Sequence, residues 1–235
     1  MHVTDVYGEA LYDFYHKQFT EDLLLHTNQV ETEVMPVDLF FRDSSELPEQ
    51  ELIALALCDG KVLDVGAGAG CHTLYLQEMG MEVTALEISE KACEVMRLRG
   101  VKNIIQQDIF SYEEQQYDTL LFLMNGIGLA ESIQGIRRLF EHCKKLLKPG
   151  GQLLFDSSDI NYYYDEGTTK PSDRYYGEVN FQYEYKGVKG KPFGWIYIDQ
   201  QELIKIGNEM GWVVQILDED DHYQYLVRME LRTSF

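Results

Sequence analysis

The stretch Lys61-Val62-Leu63-Asp64-Val65-Gly66-Ala67-Gly68-Ala69-Gly70-Cys71-His72 leaves few folds open to this chain. Val62 to Val65 is a short apolar run of the kind found in a buried parallel strand. Three glycines at alternate positions follow it, and Thr73 to Met79, closed by Gly80, has a helical pattern. Glycine lets a backbone turn sharply and approach a ligand closely. A helix N-terminus offers unpaired N–H groups to a polar or anionic group. Strand, glycine loop and helix start together predict a cofactor cradle. The dinucleotide fingerprint G-x-G-x-x-G needs glycine at position 71, where this chain has Cys71. The spacing here is G-x-G-x-G, with Asp64 two residues ahead of the first glycine.

The 235 residues suffice for one domain with a good core, or one domain plus an insertion. No apolar run approaches the ~18 residues of a membrane span. Met1-His2-Val3-Thr4-Asp5 lacks the basic n-region of a signal peptide. Cys58, Cys71, Cys93 and Cys143 are scattered, with no C-x-x-C pair, which suits a reducing cytoplasm and argues against a structural zinc or other metal site. The net charge of -20 repels phosphate backbones, so nucleic acid is not expected as a partner. Lys144, Lys145 and Lys148 cluster, but they end a helical pattern, where cations complement the dipole. A negative surface tolerates a neutral or cationic small molecule, and it also serves solubility.

Ahead of the glycine loop, Gly8 to Phe19 has helical spacing, Asp22 to Val30 reads as a second short helix, and Pro36 to Arg42 as an extended or turn segment. Pro48 suits the first turn of a helix over Glu49–Leu57, with Leu52, Ile53, Ala56 and Leu57 on its apolar face. From Lys61 strands and helices alternate, the signature of a parallel sheet. Strands are expected at Val62–Val65, Glu82–Glu87, Asn103–Gln107, Asp118–Met124 and Gln152–Asp156. Helices are expected at Cys71–Met79, from Ser89 to Arg99, and from Ser132 to Leu147, the last terminated by Lys148-Pro149-Gly150-Gly151. The tyrosine-rich segment that follows alternates at Glu178–Lys186 and Phe193–Ile198 around the turn chemistry of 187–192. It predicts a β-hairpin insertion over about 161–198. A helix at Asp199–Met210 and an antiparallel pair at Trp212–Leu217 and Tyr223–Leu231 complete the chain.

Open parallel sheets bind ligands beyond the carboxyl ends of their strands. Asp64 and the glycines end the first strand. Glu87 ends the second and can accept hydrogen bonds from both ribose hydroxyls. Asp108 follows the third and can accept from an exocyclic amine, with Ile88 and Ile109 facing an adenine ring; it also suits a helix cap or turn. Met124-Asn125-Gly126-Ile127-Gly128 ends the fourth. Asp64 to Gly70 resembles motif I of the class I S-adenosylmethionine-dependent methyltransferases, Glu87 the acid of motif II, and Asp108 that of motif III. Leu147-Lys148-Pro149-Gly150-Gly151 matches the post-helix element of the small members, and Pro36 to Arg42 looks like a small bacterial subgroup with unassigned substrates. The resemblance covers about 60–235, more weakly in the last third.

The resemblance implies an α/β fold, a Rossmann-like seven-stranded sheet in the order 3-2-1-4-5-7-6 with strand 7 antiparallel. It implies an N-terminal helical cap at 1–60 and an S-adenosylmethionine-binding domain at 61–235 carrying the hairpin insertion. Cofactor contacts are implied at Asp64, Gly66, Ala67, Gly68, Glu87, Ile88, Asp108, Ile109, Met124 and Asn125. The Asn-Pro-Pro-Tyr motif of amino-group-methylating members is missing; only Asn125 remains, which weakens the case for adenine or glutamine amide nitrogens as acceptors.

Methyl transfer from a sulfonium is a direct displacement, in which an enzyme mainly aligns acceptor, carbon and sulfur and excludes water. No residue is nominated as a general base, so no catalytic residue is assigned. His72 and Arg42 are candidates for the methionine carboxylate, and also suit a capping and a surface-pair role; Cys71 suits packing. Asp156, Asp159 and Tyr162 to Tyr164 could hold a cationic or aromatic small-molecule acceptor, or could cap turns and pack the hairpin. Two other readings stand beside this one: a nicotinamide-dependent oxidoreductase, against which Cys71 and the terminal hairpin count, and a non-catalytic binding module whose tyrosine hairpin joins two copies in a homodimer.

Overall fold

A computed structural model describes residues 5–27, 32–165 and 169–232. Helix α1 (Val6–Tyr15) is followed by strands β1 (Leu23–Thr27) and β2 (Glu33–Met35), a 3-10 turn at Val37–Phe41, and helix α2 (Glu49–Leu57). The alternating region holds β3 (Lys61–Val65), α3 (Cys71–Glu78), β4 (Glu82–Glu87), α4 (Glu90–Arg99), β5 (Ile104–Gln106), β6 (Tyr117–Phe122), α5 (Ile133–Leu146) and β7 (Leu147–Ser158). The last third adds α6 (Tyr162–Asp165), β8 (Glu178–Tyr185), β9 (Val188–Lys189), β10 (Phe193–Ile196), α7 (Gln200–Glu209), β11 (Trp212–Glu219) and β12 (Gln224–Leu231).

The main sheet has seven strands in the order β11-β12-β7-β6-β3-β4-β5. Strands β4 and β5 pair in parallel, as do β6 and β7, while β12 runs antiparallel to β7 and to β11. This is the expected seven-stranded Rossmann-like topology. Local chemistry sets the helix limits. Ser89 accepts the N–H of Ala92 and opens α4, which Gly100 closes at φ 94. Ser132 caps α5, whose stripe of Ile136, Leu139, Phe140, Cys143 and Leu146 is buried. Asp199 caps α7 by accepting the N–H groups of Gln201 and Glu202.

Two compact units share the chain: Met1–Pro48, Leu63–Tyr112 and Asn180–Phe193 in the first; Glu49–Val62, Glu113–Val179 and Gly194–Phe235 in the second. A second sheet has the order β10-β8-β1-β2, with β9 also paired to β8. The first unit packs Val6, Ala10 and Leu11 of α1 with Leu23, Val37, Ala92, Val95 and Tyr185.

Three local expectations change, and a fourth resolves to the turn it allowed. The helix expected at Asp22–Val30 is strand β1 over its described part, paired antiparallel with β8 from Leu24↔Glu184 to Thr27↔Phe181; residues 28–30 lie outside the described residues. Tertiary pairing with a tyrosine-rich strand overrides a run of leucines with good helix propensity. Segment 37–41, expected as extended or turn, is a 3-10 helix, a run of tight turns. The buried positions of α2 are Gln50, Glu51, Ala54 and Leu55, not the expected Leu52, Ile53, Ala56 and Leu57. Finally, Lys148-Pro149-Gly150-Gly151 ends α5 but lies inside β7: the pairing with β6 jumps from Tyr117↔Leu147 to Thr119↔Gln152, an irregularity that absorbs the proline.

The insertion hairpin forms around a tighter turn than expected. Lys186 and Gly187 have φ 50 and 71, the conformation of a two-residue hairpin turn, so Val188 and Lys189 belong to β9. Residues 166–168 of the expected insertion lie outside the described residues.

Candidate functional site

The glycine loop adopts the geometry its spacing predicts. Gly66, Gly68 and Gly70 have φ 73, 56 and 84, values an L side chain rarely takes. The N–H groups of Gly66 and Ala67 both reach the carbonyl of Leu86, at 2.8 and 3.3 Å, which draws the loop against the end of β4. There the buried Glu87 carboxylate is clasped by backbone. Its Oε2 accepts the Gly68 N–H at 2.9 Å, and its Oε1 accepts the N–H groups of Ile88 and Ser89 at 2.8 and 2.9 Å. Burial raises the Glu87 pKa, and these three bonds oppose the rise. A carboxylate oxygen accepts about two hydrogen bonds, so Oε2 keeps room for a hydroxyl donor.

Asp64 lies under the loop, 2% exposed, and accepts a 2.5 Å bond from Thr73 Oγ1 in the first turn of α3. Burial raises its pKa, against the opposing influence of His72 and the Thr73 bond. Next to β4, the N–H of Gln107 reaches the Glu87 carbonyl at 3.1 Å, which brings Asp108 and Ile109 to the same strand-end row. Asp108 caps a short 3-10 turn through a 2.8 Å bond from Phe110 N–H, so its turn-forming role is real. Ile109 is buried, whereas Ile88 is 67% exposed, an apolar side chain left uncovered beside Glu87.

Sequence reasoning missed three contributors from outside the loop. Tyr7 of α1 stands over it: a Cβ at Gly68 would lie 2.8 Å from the Tyr7 hydroxyl. Tyr7 stacks on Tyr183 at 5.6 Å and meets Phe40 edge-on at 5.2 Å. Burial, then the charge of Glu87, pushes its phenol pKa up, and among the described residues its hydroxyl has no hydrogen-bond partner. Asp5 anchors this helix. It caps α1 through Gly8 N–H at 3.0 Å and accepts from Ser89 Oγ at 2.7 Å and Lys91 N–H at 3.2 Å. Arg99 ties the loop to the 3-10 turn, donating to Ala69 O at 2.6 Å and Phe40 O at 3.2 Å. Only the aromatic residues near the N-terminus signalled any of this in the sequence.

A protein-family model described as a methyltransferase domain matches residues 63–155. A crystal structure of an S-adenosylmethionine-dependent methyltransferase from Bacteroides fragilis, in complex with S-adenosyl-L-homocysteine, is 40% identical. The match covers 97% of this chain and 95% of that one, with a TM-score of 0.90. The chain belongs to the S-adenosylmethionine-dependent methyltransferase family. A ubiquinone biosynthesis O-methyltransferase of Xanthomonas oryzae pv. oryzae is 29% identical over 110 residues, 44% of this chain and 45% of that protein, so the chain spans under half the length of that curated relative. The CcbJ methyltransferase of Streptomyces caelestis matches at TM-score 0.67 over 97% of this chain and 98% of that one; at 16% identity it shows the fold alone. No support emerges for the nicotinamide-dependent or the non-catalytic reading.

The end of β6, in the second unit, is tightly shaped. Met124 and Asn125 have φ 59 and 54, two consecutive left-handed non-glycine residues. The Asn125 N–H donates to Asp156 Oδ2 at 2.8 Å, and its side-chain amide reaches the Ile196 carbonyl at 3.5 Å. The 3-10 turn Gly126–Ala130 follows, with Gly128 against Trp195: a Cβ there would lie 2.0 Å from the indole nitrogen.

The two acids expected at the acceptor end divide. Asp156 is buried, with its pKa pushed up to about 6 by burial. Asp159 shapes a turn, accepting the Asn161 N–H at 2.8 Å and the Tyr176 hydroxyl at 2.6 Å. Tyr162 stacks with Tyr223, and Tyr164 donates to the Tyr176 carbonyl, so these rings pack the insertion. His72 is buried in the first turn of α3, and the Arg42 Nε donates to the Leu39 carbonyl at 2.8 Å. Cys71 is 6% exposed and packs. Lys144, Lys145 and Lys148 pair with Glu141, Glu113 and Asp118. Among the described residues no helix is long and apolar enough to cross a membrane.

Proposed function

We propose that the protein is an S-adenosylmethionine-dependent methyltransferase that transfers the cofactor's methyl group to a small-molecule acceptor by direct displacement. The observation that carries this reading is the 40% identity, over nearly the whole chain, to the Bacteroides fragilis methyltransferase crystallised with S-adenosyl-L-homocysteine. The glycine loop fits such a ligand: a Cβ at Gly66 would meet nothing within 4 Å, so the loop faces open space, and Glu87 Oε2 has spare acceptor capacity.

When bound, the cofactor supplies an electrophilic methyl on positively charged sulfur. Gly66, Ala67 and Gly68 present backbone to the methionine part, and Glu87 accepts the ribose hydroxyls. Ile88 and Ile109 flank the adenine, and Asp108 accepts its amine. Asp64 supports the loop through Thr73, and Met124 and Asn125 are the contacts proposed nearest the sulfur. Tyr7 adds a hydroxyl donor over the loop. These groups bind, orient and exclude water, and positioning supplies most of the rate in such a displacement.

We further propose that residues 1–60 act as a cap on a 61–235 catalytic domain, that the acceptor is cationic or aromatic, and that the enzyme works in the cytoplasm. The four free cysteines and the charge of -20 support the last two. A homodimer through the tyrosine-rich insertion is checked by light scattering. Thermal-shift titration tests the cofactor: S-adenosyl-L-homocysteine at a hundred times its dissociation constant stabilises the fold by about 2.7 kcal/mol, and NAD(H) leaves it unchanged. Stabilisation by NAD(H) alone refutes the reading.

A further inference from the structure

In the first unit, an open cavity of about 550 Å³ lies at the C-terminal end of α1, a volume in the range of small-molecule sites. Phe14, Tyr15, Phe19 and Phe41 wall it, and Lys17 is its one charged lining residue. The walls touch one another: the Phe14 ring lies 4.7 Å from Phe41 and meets Phe19 edge-on at 5.7 Å. They are also braced from outside the cavity. Phe19 stacks on Tyr185 at 5.6 Å, and the Tyr15 hydroxyl donates to the Leu98 carbonyl at 3.2 Å. All four aromatic walls stay partly exposed. Lys17 follows α1 in a left-handed conformation, φ 58, where glycine or asparagine is usual, and its N–H donates to the Phe14 carbonyl at 3.0 Å. Its ammonium is exposed and has no hydrogen-bond or ion-pair partner among the described residues.

One wall is tied to the glycine loop. The Arg99 guanidinium carbon lies 5.0 Å from the centre of the Phe41 ring. Its Nη1 donates to the Ala69 carbonyl at 2.6 Å and to the Phe40 carbonyl at 3.2 Å, and its Nη2 to the Phe41 carbonyl at 3.4 Å. One rigid, planar group therefore holds both Phe41 and the loop, so a molecule that presses on Phe41 acts on Ala69 through it. Ring walls favour a planar aromatic body by offset and edge-on packing, and an unpaired ammonium favours an anionic group on its edge. The net charge of -20 repels anions at long range. Physiological salt screens exposed charges beyond about 8 Å, which leaves Lys17 to set the preference locally. No carboxylate lines the cavity to hold a cation instead.

We propose that this cavity binds a small aromatic carboxylate, through residues none of which is assigned to the cofactor, and that its occupancy is coupled to the glycine loop through Arg99. The binding site stands apart from the methyltransferase reading. Only the effect on cofactor affinity rests on that reading.

Calorimetry on the full chain compares 2-naphthoate with the uncharged 2-naphthamide and the cationic 2-naphthylmethylammonium. The carboxylate should bind about threefold tighter than either, the worth of one exposed ion pair. That preference should vanish in Lys17→Met, a change at an exposed position that leaves the fold and S-adenosyl-L-homocysteine affinity intact. Phe19→Leu, which keeps an apolar side chain but removes the ring, should weaken all three probes. Saturating 2-naphthoate should change S-adenosyl-L-homocysteine affinity by about fivefold or more, a ratio that shrinks in Arg99→Lys, where the planar fork is lost. No binding of 2-naphthoate, equal binding of the amide, or a preference intact in Lys17→Met overturns the site. Binding that leaves S-adenosyl-L-homocysteine affinity untouched overturns the coupling. If S-adenosyl-L-homocysteine itself does not bind, the methyltransferase reading fails alone, and the coupling is read from amide hydrogen exchange over residues 66–70: slower exchange with 2-naphthoate supports it, and unchanged exchange overturns it.

Discussion

The carboxylate of Glu87 accepts the backbone N–H of Gly68 at 2.9 Å, across the gap between a strand end and a glycine loop nineteen residues earlier. This bond explains two features at once. It holds Gly68 in a left-handed conformation at φ 56 that only glycine takes cheaply, and it fixes the acid at the place proposed for the ribose hydroxyls. Gly68→Ala combines backbone strain with a Cβ 2.8 Å from the Tyr7 hydroxyl. It should weaken S-adenosyl-L-homocysteine binding tenfold or more in calorimetry. Wild-type affinity in this variant contradicts the close-approach role of the loop.

Tyr7→Phe removes one hydroxyl that has no partner among the described residues, so it should hardly change the urea midpoint. It should still weaken cofactor binding by about 0.5–1.5 kcal/mol, the net worth of an ordinary hydrogen bond. A stability loss without an affinity loss places the hydroxyl in packing instead.

Asp5 caps α1 and also bonds Ser89 and Lys91 at the start of α4. Asp5→Ala should cost about 1–2 kcal/mol in chemical denaturation, and Asp5→Asn, which keeps an acceptor oxygen, distinctly less. Equal effects of the two substitutions would show that charge rather than hydrogen bonding holds this joint.

Asp156 gives the pH dependence. Burial raises its pKa from 3.8 to about 6, so the unfolded chain ionises at lower pH than the folded one. Its contribution to stability is therefore complete below the unfolded value and is lost as pH rises through the folded value. The full loss is about 3 kcal/mol, of which about 2 falls between about pH 4.5 and about pH 7.5. Asp156→Asn should remove that slope and be the more stable protein at neutral pH. An identical slope in the variant shows that the acid is not held in this state.

The α/β alternation was legible because each strand and helix carries its own local signal. Ser89 and Gly100 bound α4, and Ser132 opens α5. The row of acids at the strand ends was legible for the same reason: Asp64 is the penultimate residue of β3, Glu87 ends β4, and Asp108 follows the end of β5 by two residues. What escaped depends on distant partners. Leu23 to Thr27 becomes a strand because β8, some 158 residues later, offers it an edge. Helix α2 buries Gln50 because the Gln224 carbonyl, 174 residues later, accepts its amide, and no local periodicity encodes that. Pro149 hid the start of β7, since proline reads as a strand breaker unless an irregular pairing is known. Tyr7 and Arg99 act on the glycine loop from about 60 and 30 residues away, beyond any motif spacing.

The most direct measurement is calorimetric titration of S-adenosyl-L-homocysteine into the wild type and Glu87→Ala. Binding to the wild type is expected, together with a loss of about 1–3 kcal/mol in the variant, roughly tenfold to a hundredfold in dissociation constant. No binding to the wild type, or equal affinity in both proteins, contradicts the assignment of this strand end as the cofactor's seat.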